Sequence, residues 1–127
     1  MPKKILIIDD EIHICILLKQ TLEDFEDKYG VEILSATNGE EGLSLIRSEL
    51  PEIVFLDIMM PKINGYDVCK LVKEDPNLKD IKIILLTAKG QEVDRTRGME
   101  VGAFKYMTKP FDPDEIVAIT KNLLAVS

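Results

Sequence analysis

Short apolar runs alternate with longer amphipathic stretches along this chain, and that rhythm leaves few folds open. Ile5-Leu6-Ile7-Ile8, residues 31–36, Glu52-Ile53-Val54-Phe55-Leu56, residues 81–86 and residues 103–107 read as strands. Helical patterns fill the intervals at 11–28, 39–49, 66–74 and 114–125, with a weaker one near 91–100. The first, third and fourth strands are nearly continuous apolar runs, as expected where both faces of a sheet are covered. Five strand–helix pairs with short connections predict a parallel α/β sheet wound by right-handed crossovers. Local chemistry marks the boundaries. Asn38 stands before the second helix, Pro76 follows the third, and Asp112-Pro113-Asp114-Glu115 supplies an N-cap, a first-turn proline and a capping-box acid.

At 127 residues the chain makes one domain, 1–127, and is too short for two well-cored ones. Sixteen Lys and Arg against twenty-three Asp and Glu leave a net charge of −7. Such a field repels phosphate backbones, so direct nucleic-acid binding by this domain is not expected. No apolar run approaches the ~20 residues that span a bilayer. The apolar stretch after Lys3-Lys4 is cut short by Asp9 and Asp10, unlike a signal peptide. The two cysteines, Cys15 and Cys69, fall among apolar neighbours on separate helical stretches. They read as small buried hydrophobes in a reducing cytoplasm rather than as a disulfide or metal ligands. His13 is the single histidine, too few for a His-rich metal site.

In open parallel sheets the active crevice lies beyond the carboxyl ends of the strands. The residues expected just past those ends are Asp9-Asp10, Asp57, Thr87-Ala88 and Lys109-Pro110. Each has an ordinary explanation by itself. Paired acids favour a helix N-terminus, an Asp serves a turn, a Thr bonds the backbone, and a Lys is solvated. Their convergence on one edge from four strands is harder to explain that way. Clustered carboxylates repel unless a cation sits among them, and an all-oxygen set suits Mg²⁺ or Mn²⁺. A lysine and a hydroxyl beside that ion make a site for phosphoryl oxygens.

Four motifs then match a known family: Ile7-Ile8-Asp9-Asp10-Glu11; Asp57-Ile58-Met59-Met60-Pro61 with Asn64-Gly65; Thr87-Ala88; and Tyr106-Met107-Thr108-Lys109-Pro110-Phe111. Across essentially its whole length the chain resembles the response-regulator receiver domain of two-component signalling. The resemblance implies a doubly wound, flavodoxin-like (βα)5 fold with strand order 2-1-3-4-5. It implies that Asp57 accepts phosphoryl from a sensor histidine kinase or phosphotransfer protein. Asp10, Asp57 and the Met59 backbone carbonyl would hold Mg²⁺, with Asp9 acting through water. Lys109 would pair with Asp57 and then with a phosphoryl oxygen, and Thr87 would bond another. Tyr106 would move on activation, Lys109-Pro110 would be a cis peptide, and Gly65 would supply backbone freedom. Asn64 replaces a frequent Asp, Phe104-Lys105 replaces a frequent acidic pair, and Ile119 stands where dimerising members carry an Arg.

The function expected is therefore a cytoplasmic phosphorylation switch, not an enzyme in its own right, although it assists its own phosphotransfer and dephosphorylation. Its output surface, formed by helix 91–100, the fifth strand and the last helix, would control a protein partner or an appended output domain. A haloacid-dehalogenase-type phosphatase needs an Asp two residues after the nucleophile, where Met59 stands. A degenerate receiver would lack part of the pocket, and no glycine-rich nucleotide loop is present. On the first helix Ile12, Cys15, Leu22 and Phe25 form the expected core stripe. Ile14 and Leu17 lie off it and, with Pro110 and Phe111, are the expected kinase-docking surface.

Overall fold

A computed structural model describes residues 2–88 and 100–125. In chain order the elements are β1 (Lys4–Ile8), α1 (Ile12–Thr21), α2 (Glu23–Tyr29), β2 (Glu32–Ala36), α3 (Gly39–Glu49), β3 (Ile53–Asp57), α4 (Gly65–Glu74), β4 (Lys82–Ala88), β5 (Lys105–Lys109) and α5 (Pro113–Leu124). The strands form one parallel sheet in the order β2-β1-β3-β4-β5. β1 and β3 sit centrally, which is why both are apolar at nearly every position. The weak helix expected at 91–100 lies outside the described residues except for its end.

Strand side chains alternate between faces, so each strand feeds two cores. Ile5, Ile7, Ile53, Phe55, Ile84, Leu86 and Met107 pack under α1, α2 and α5. Leu6, Ile8, Val54, Leu56, Ile83 and Leu85 pack under α3 and α4. Fully burying each of these side chains is worth about 1.5–3 kcal/mol, which gives the sheet a rigid middle. Three helices begin on the side-chain caps their sequences announce. Asn38 accepts from the Glu41 N–H at 2.8 Å, Asn64 from Asp67 at 3.0 Å, and Asp112 from Asp114 at 2.9 Å. Glu115 turns instead toward Lys105, 3.4 Å away.

The structure departs from the sequence reading in three ways. The helix expected over 11–28 is divided at Leu22. There the backbone takes φ −99°, ψ 6°, and the Thr21 hydroxyl donates to the Leu17 carbonyl at 2.8 Å, a side-chain bond that bends helices. Second, β4 and β5 run on to Ala88 and Lys109, so Thr87 and Lys109 are strand residues rather than residues past a strand. Their pairing continues as Thr87 with Thr108 and Ala88 with Lys109. Third, Ile12 is not core. It is 63% exposed, because the first turn of α1 overhangs the edge where β1 has already ended. The buried stripe is Cys15, Leu18, Leu22 and Phe25, with Ile14 half-buried against it.

Candidate functional site

The pocket forms where the central strands stop. The Asp9 N–H donates to the Ala36 carbonyl at 3.1 Å, which carries the β1–β2 pairing one residue beyond Ile8 and holds Asp9 at the edge. Asp57 is the last residue of β3. The Ile58 N–H donates to Leu86 at 3.0 Å, fixing the chain as it leaves the strand. Asp57 shares the parity of Ile53 and Phe55, and Lys109 that of Met107, so both belong to the sheet face covered by α1 and α5. Lys109 lies beyond Asp57 in register, and its long side chain reaches back to span the step.

The Lys109 ammonium meets Asp9 Oδ2 at 2.7 Å, Asp57 Oδ1 at 3.4 Å and Glu11 Oε1 at 3.7 Å. The sequence reading paired this lysine with Asp57; the nearest partner is Asp9. Asp9 and Asp57 are both buried, whereas Asp10 is exposed. Burial drives the Asp57 pKa up to about 7, the Asp9 charge adds to the rise, and Lys109 opposes both. Asp9 is likewise raised by burial against the pull of Lys109. Burial disfavours the Lys109 ammonium, but hydrogen bonding to Asp9 and the charge of Asp57 outweigh it, and its pKa lies above the usual lysine value.

Asp9, Asp10 and Asp57 each offer a carboxylate oxygen, and these oxygens lie within 4.8 Å of one another. Asp9 Oδ1 accepts the Glu11 N–H at 2.9 Å. Asp9 Oδ2 is enclosed and, beyond its ion pair with Lys109, has no hydrogen-bond partner among the described residues. Three carboxylates gathered this closely, two of them on one ammonium, offer an all-oxygen set that suits a hard cation.

Around this centre the other expected residues take distinct places. Thr87 is buried, with its hydroxyl 3.5 Å from the Ala88 carbonyl. Tyr106 is half-buried and packs with the core under α3 and α4. The Met59 side chain is 58% exposed. The Lys109–Pro110 peptide is cis. Pro110 is exposed and Phe111 half-buried, and with Tyr106 they line an open groove of about 330 Å³. Leu17 is 43% exposed as expected for a docking residue, while Ile14 is largely taken up by the core; Ile12 and Ile16 are the exposed isoleucines of α1.

Gly65 has a role different from the one expected. Its backbone is not left-handed; what excludes a side chain is proximity. A Cβ there would stand 2.5 Å from the Asp57 carbonyl oxygen and 2.8 Å from Ile58 Cα. The Gly65 N–H donates to the Ile58 carbonyl at 2.9 Å, closing the loop after Asp57. Glu11 was given no role by the sequence reading. Its signal was a third successive acid past β1.

The family described as the response regulator receiver domain matches residues 5–121. This chain belongs to that family. Among curated relatives, the receiver is 42% identical over 124 residues to the alkaline phosphatase synthesis transcriptional regulatory protein PhoP of Bacillus subtilis (strain 168), covering 98% of this chain and 49% of that protein. It is 44% identical to the probable transcriptional regulator ycf27 of Cyanophora paradoxa, covering 96% and 48%. The chain thus spans about half the length of these relatives. Among solved structures, a putative response regulator from Chloroflexus aurantiacus J-10-fl superposes with TM-score 0.86 at 38% identity, covering 98% of this chain and 99% of that one. The Vibrio cholerae chemotaxis protein CheY4 gives TM-score 0.83 at 27% identity, covering 97% and 99%. Receivers are signalling modules of two-component systems, not classical enzymes. They bind Mg²⁺ at an acidic cluster and work with histidine kinases and output domains. Among the described residues no helix is long and apolar enough to cross a membrane.

Proposed function

We propose that Asp57 accepts a phosphoryl group from the phosphohistidine of a sensor histidine kinase or phosphotransfer protein, and that residues 1–127 act as one cytoplasmic receiver. The observation that carries this reading is the Lys109 ammonium held between two buried carboxylates at the sheet edge, 2.7 Å from Asp9 and 3.4 Å from Asp57. A cation already bridging that pair is poised to follow negative charge as it moves outward onto a phosphoryl group. Mg²⁺, or Mn²⁺, held by Asp10, Asp57 and the Met59 carbonyl with Asp9 acting through water, supplies further positive charge at the phosphoryl oxygens when bound.

An Asp57 carboxylate oxygen attacks phosphorus opposite the P–N bond of the donor. That bond breaks with its electron pair left on the imidazole nitrogen, and Asp57 becomes an acyl phosphate. Lys109 shifts from the carboxylates to one phosphoryl oxygen, and the Thr87 hydroxyl donates to another. The same groups serve the later discharge, in which water attacks phosphorus, the P–O bond to Asp57 breaks, and inorganic phosphate leaves as the carboxylate is restored. Thr87 and Tyr106 form the switch: inward movement of Thr87 leaves room for Tyr106 to turn, altering the surface of β5 and α5 offered to a protein partner or output domain. The kinase docks beside the pocket through Leu17 and the Pro110–Phe111 turn. The exposures of Ile12 and Ile16 add them to this surface, and Ile14 contributes only its edge.

The test is phosphorylation by acetyl phosphate, followed by intact mass and peptide mapping. The expected result is one added phosphoryl group on Asp57 that requires Mg²⁺, does not form when EDTA is present from the start and is absent from Asp57→Ala. Phosphoryl on another residue, or undiminished labelling of Asp57→Ala, would overturn the assignment.

A further inference from the structure

Glu11 occupies the N-cap of α1 yet makes no side-chain cap hydrogen bond. The N-cap residues of α3, α4 and α5 all make one. A short acid such as Asp at this position caps the free N–H groups of its helix, whereas the longer Glu11 side chain can reach beyond them. Here the carboxylate is divided elsewhere. Oε1 stands 3.7 Å from the Lys109 ammonium, and Oε2 stands 3.2 Å from His13 Nε2. The backbone of the same residue is tied into the pocket, since its N–H donates to Asp9 Oδ1 at 2.9 Å. Lys109 therefore has three carboxylates around it, and Glu11 is the half-exposed one on the solvent side.

The geometry points to Glu11 as a positioning residue that competes with the phosphoryl group for Lys109, and so restrains phosphorylation of this receiver. The inference rests on the phosphoacceptor reading of Asp57 above. Asp9 and Asp57 form the floor of the pocket. Glu11 stands at its mouth, where an incoming phosphoryl donor brings its own negative charge. Its carboxylate opposes transfer in two ways: it holds the ammonium that must move to a phosphoryl oxygen, and it repels the approaching anion. His13 lies beside the far oxygen, 3.2 Å away, and both side chains stand in solvent. Neutralising Glu11 without changing its shape removes both effects.

The test compares the unaltered chain with Glu11→Gln and Glu11→Asp. Each is phosphorylated with acetyl phosphate at saturating Mg²⁺, first at low ionic strength and then at high. Glu11→Gln is expected to react roughly three- to tenfold faster at low salt, the size of one charge acting over several ångströms near a protein surface. The advantage should shrink toward unity at high salt, because a half-exposed charge is screened. Glu11→Asp keeps the charge near the mouth but draws it back from Lys109 by one methylene, so it should react at a rate between those of the unaltered chain and Glu11→Gln. A packing effect would not follow ionic strength. Equal or slower reaction of Glu11→Gln, an acceleration indifferent to salt, or a reaction of Glu11→Asp faster than that of Glu11→Gln would each overturn the role of Glu11 while leaving Asp57 the phosphoacceptor. Absence of Asp57 labelling from the unaltered chain would overturn both.

Discussion

Asp57 binds its proton more tightly in the folded chain than in the unfolded one, and Asp57→Asn measures the consequence. Burial and the neighbouring Asp9 lift its pKa from the ordinary 3.8 to about 7. Folding therefore takes up a proton between those values. Without metal, the native state loses stability as pH rises from about 4 to about 7 and loses no more above that range. A shift of this size is worth about 4 kcal/mol for one isolated carboxyl. Asp9 shares the repulsion and keeps its ion pair with Lys109 at 2.7 Å, so the neutral amide recovers about half of that, ~2 kcal/mol. For a domain of this size that corresponds to a rise in Tm of about 6–10 °C. The assay is thermal unfolding by circular dichroism in EDTA at pH 5, 6, 7 and 8. Asp57→Asn should already lead the wild type by a small margin at pH 5, where over a third of the effect has accrued, and draw further ahead as pH rises, levelling off above 7. Added Mg²⁺ should narrow the gap at pH 8 by stabilising the wild type. An unchanged gap across the series, or a variant less stable at pH 8, would refute the account of Asp57 as a carboxylate held at a cost in free energy.

Gly65→Ala should destabilise the chain by about 1–3 kcal/mol, since its Cβ would press on the Asp57 carbonyl oxygen from 2.5 Å; phosphorylation should fall with it, read by denaturant unfolding and acetyl phosphate labelling. Calorimetric titration with Mg²⁺ should find a larger loss of affinity in Asp10→Ala than in Asp9→Ala, because an exposed ligand is removed outright while Asp9 acts through water. Ile16→Ala and Leu17→Ala should slow transfer from the cognate kinase, each losing ~1–2 kcal/mol of binding, and leave the rate with acetyl phosphate unchanged. Asn38→Ala should lower stability by about 1 kcal/mol through loss of the 2.8 Å cap on Glu41, read as a shift in the urea midpoint.

The alternation of strands and helices was legible because β1 and β3 are buried on both faces and so are written almost wholly in apolar residues. Asp9 and Asp57 were legible for the same reason, each being the first charge after such a run. Thr87 and Lys109 were found but set one step too far. Hydropathy ends a strand where polarity begins, whereas backbone pairing is indifferent to side chains and carries β4 and β5 into the pocket. The division at Leu22 left no trace in the pattern, since Leu18, Leu22 and Phe25 keep helical spacing straight across it. Ile12 misled in the opposite direction. Its spacing from Cys15 is that of a core residue, but burial requires a sheet beneath it, and β1 stops at Ile8. How Lys109 divides itself among Asp9, Asp57 and Glu11 depends on distances that no linear pattern contains.

β5 also bears on how such a module can change over generations. Its successive residues alternate between the two cores: Met107 joins the one under α1 and α5, where Lys109 meets Asp9 and Asp57, while Tyr106 joins the one under α3 and α4. Neighbours in sequence thus answer to different layers of the molecule. A substitution at one of these positions is therefore met by the packing of one layer and leaves the contacts of the other in place. The two faces of β5 can thus change independently, by single-residue steps along a five-residue strand. After gene duplication, a copy of this receiver could drift in the layer that holds Tyr106 while the lysine and carboxylates of the other stayed untouched throughout.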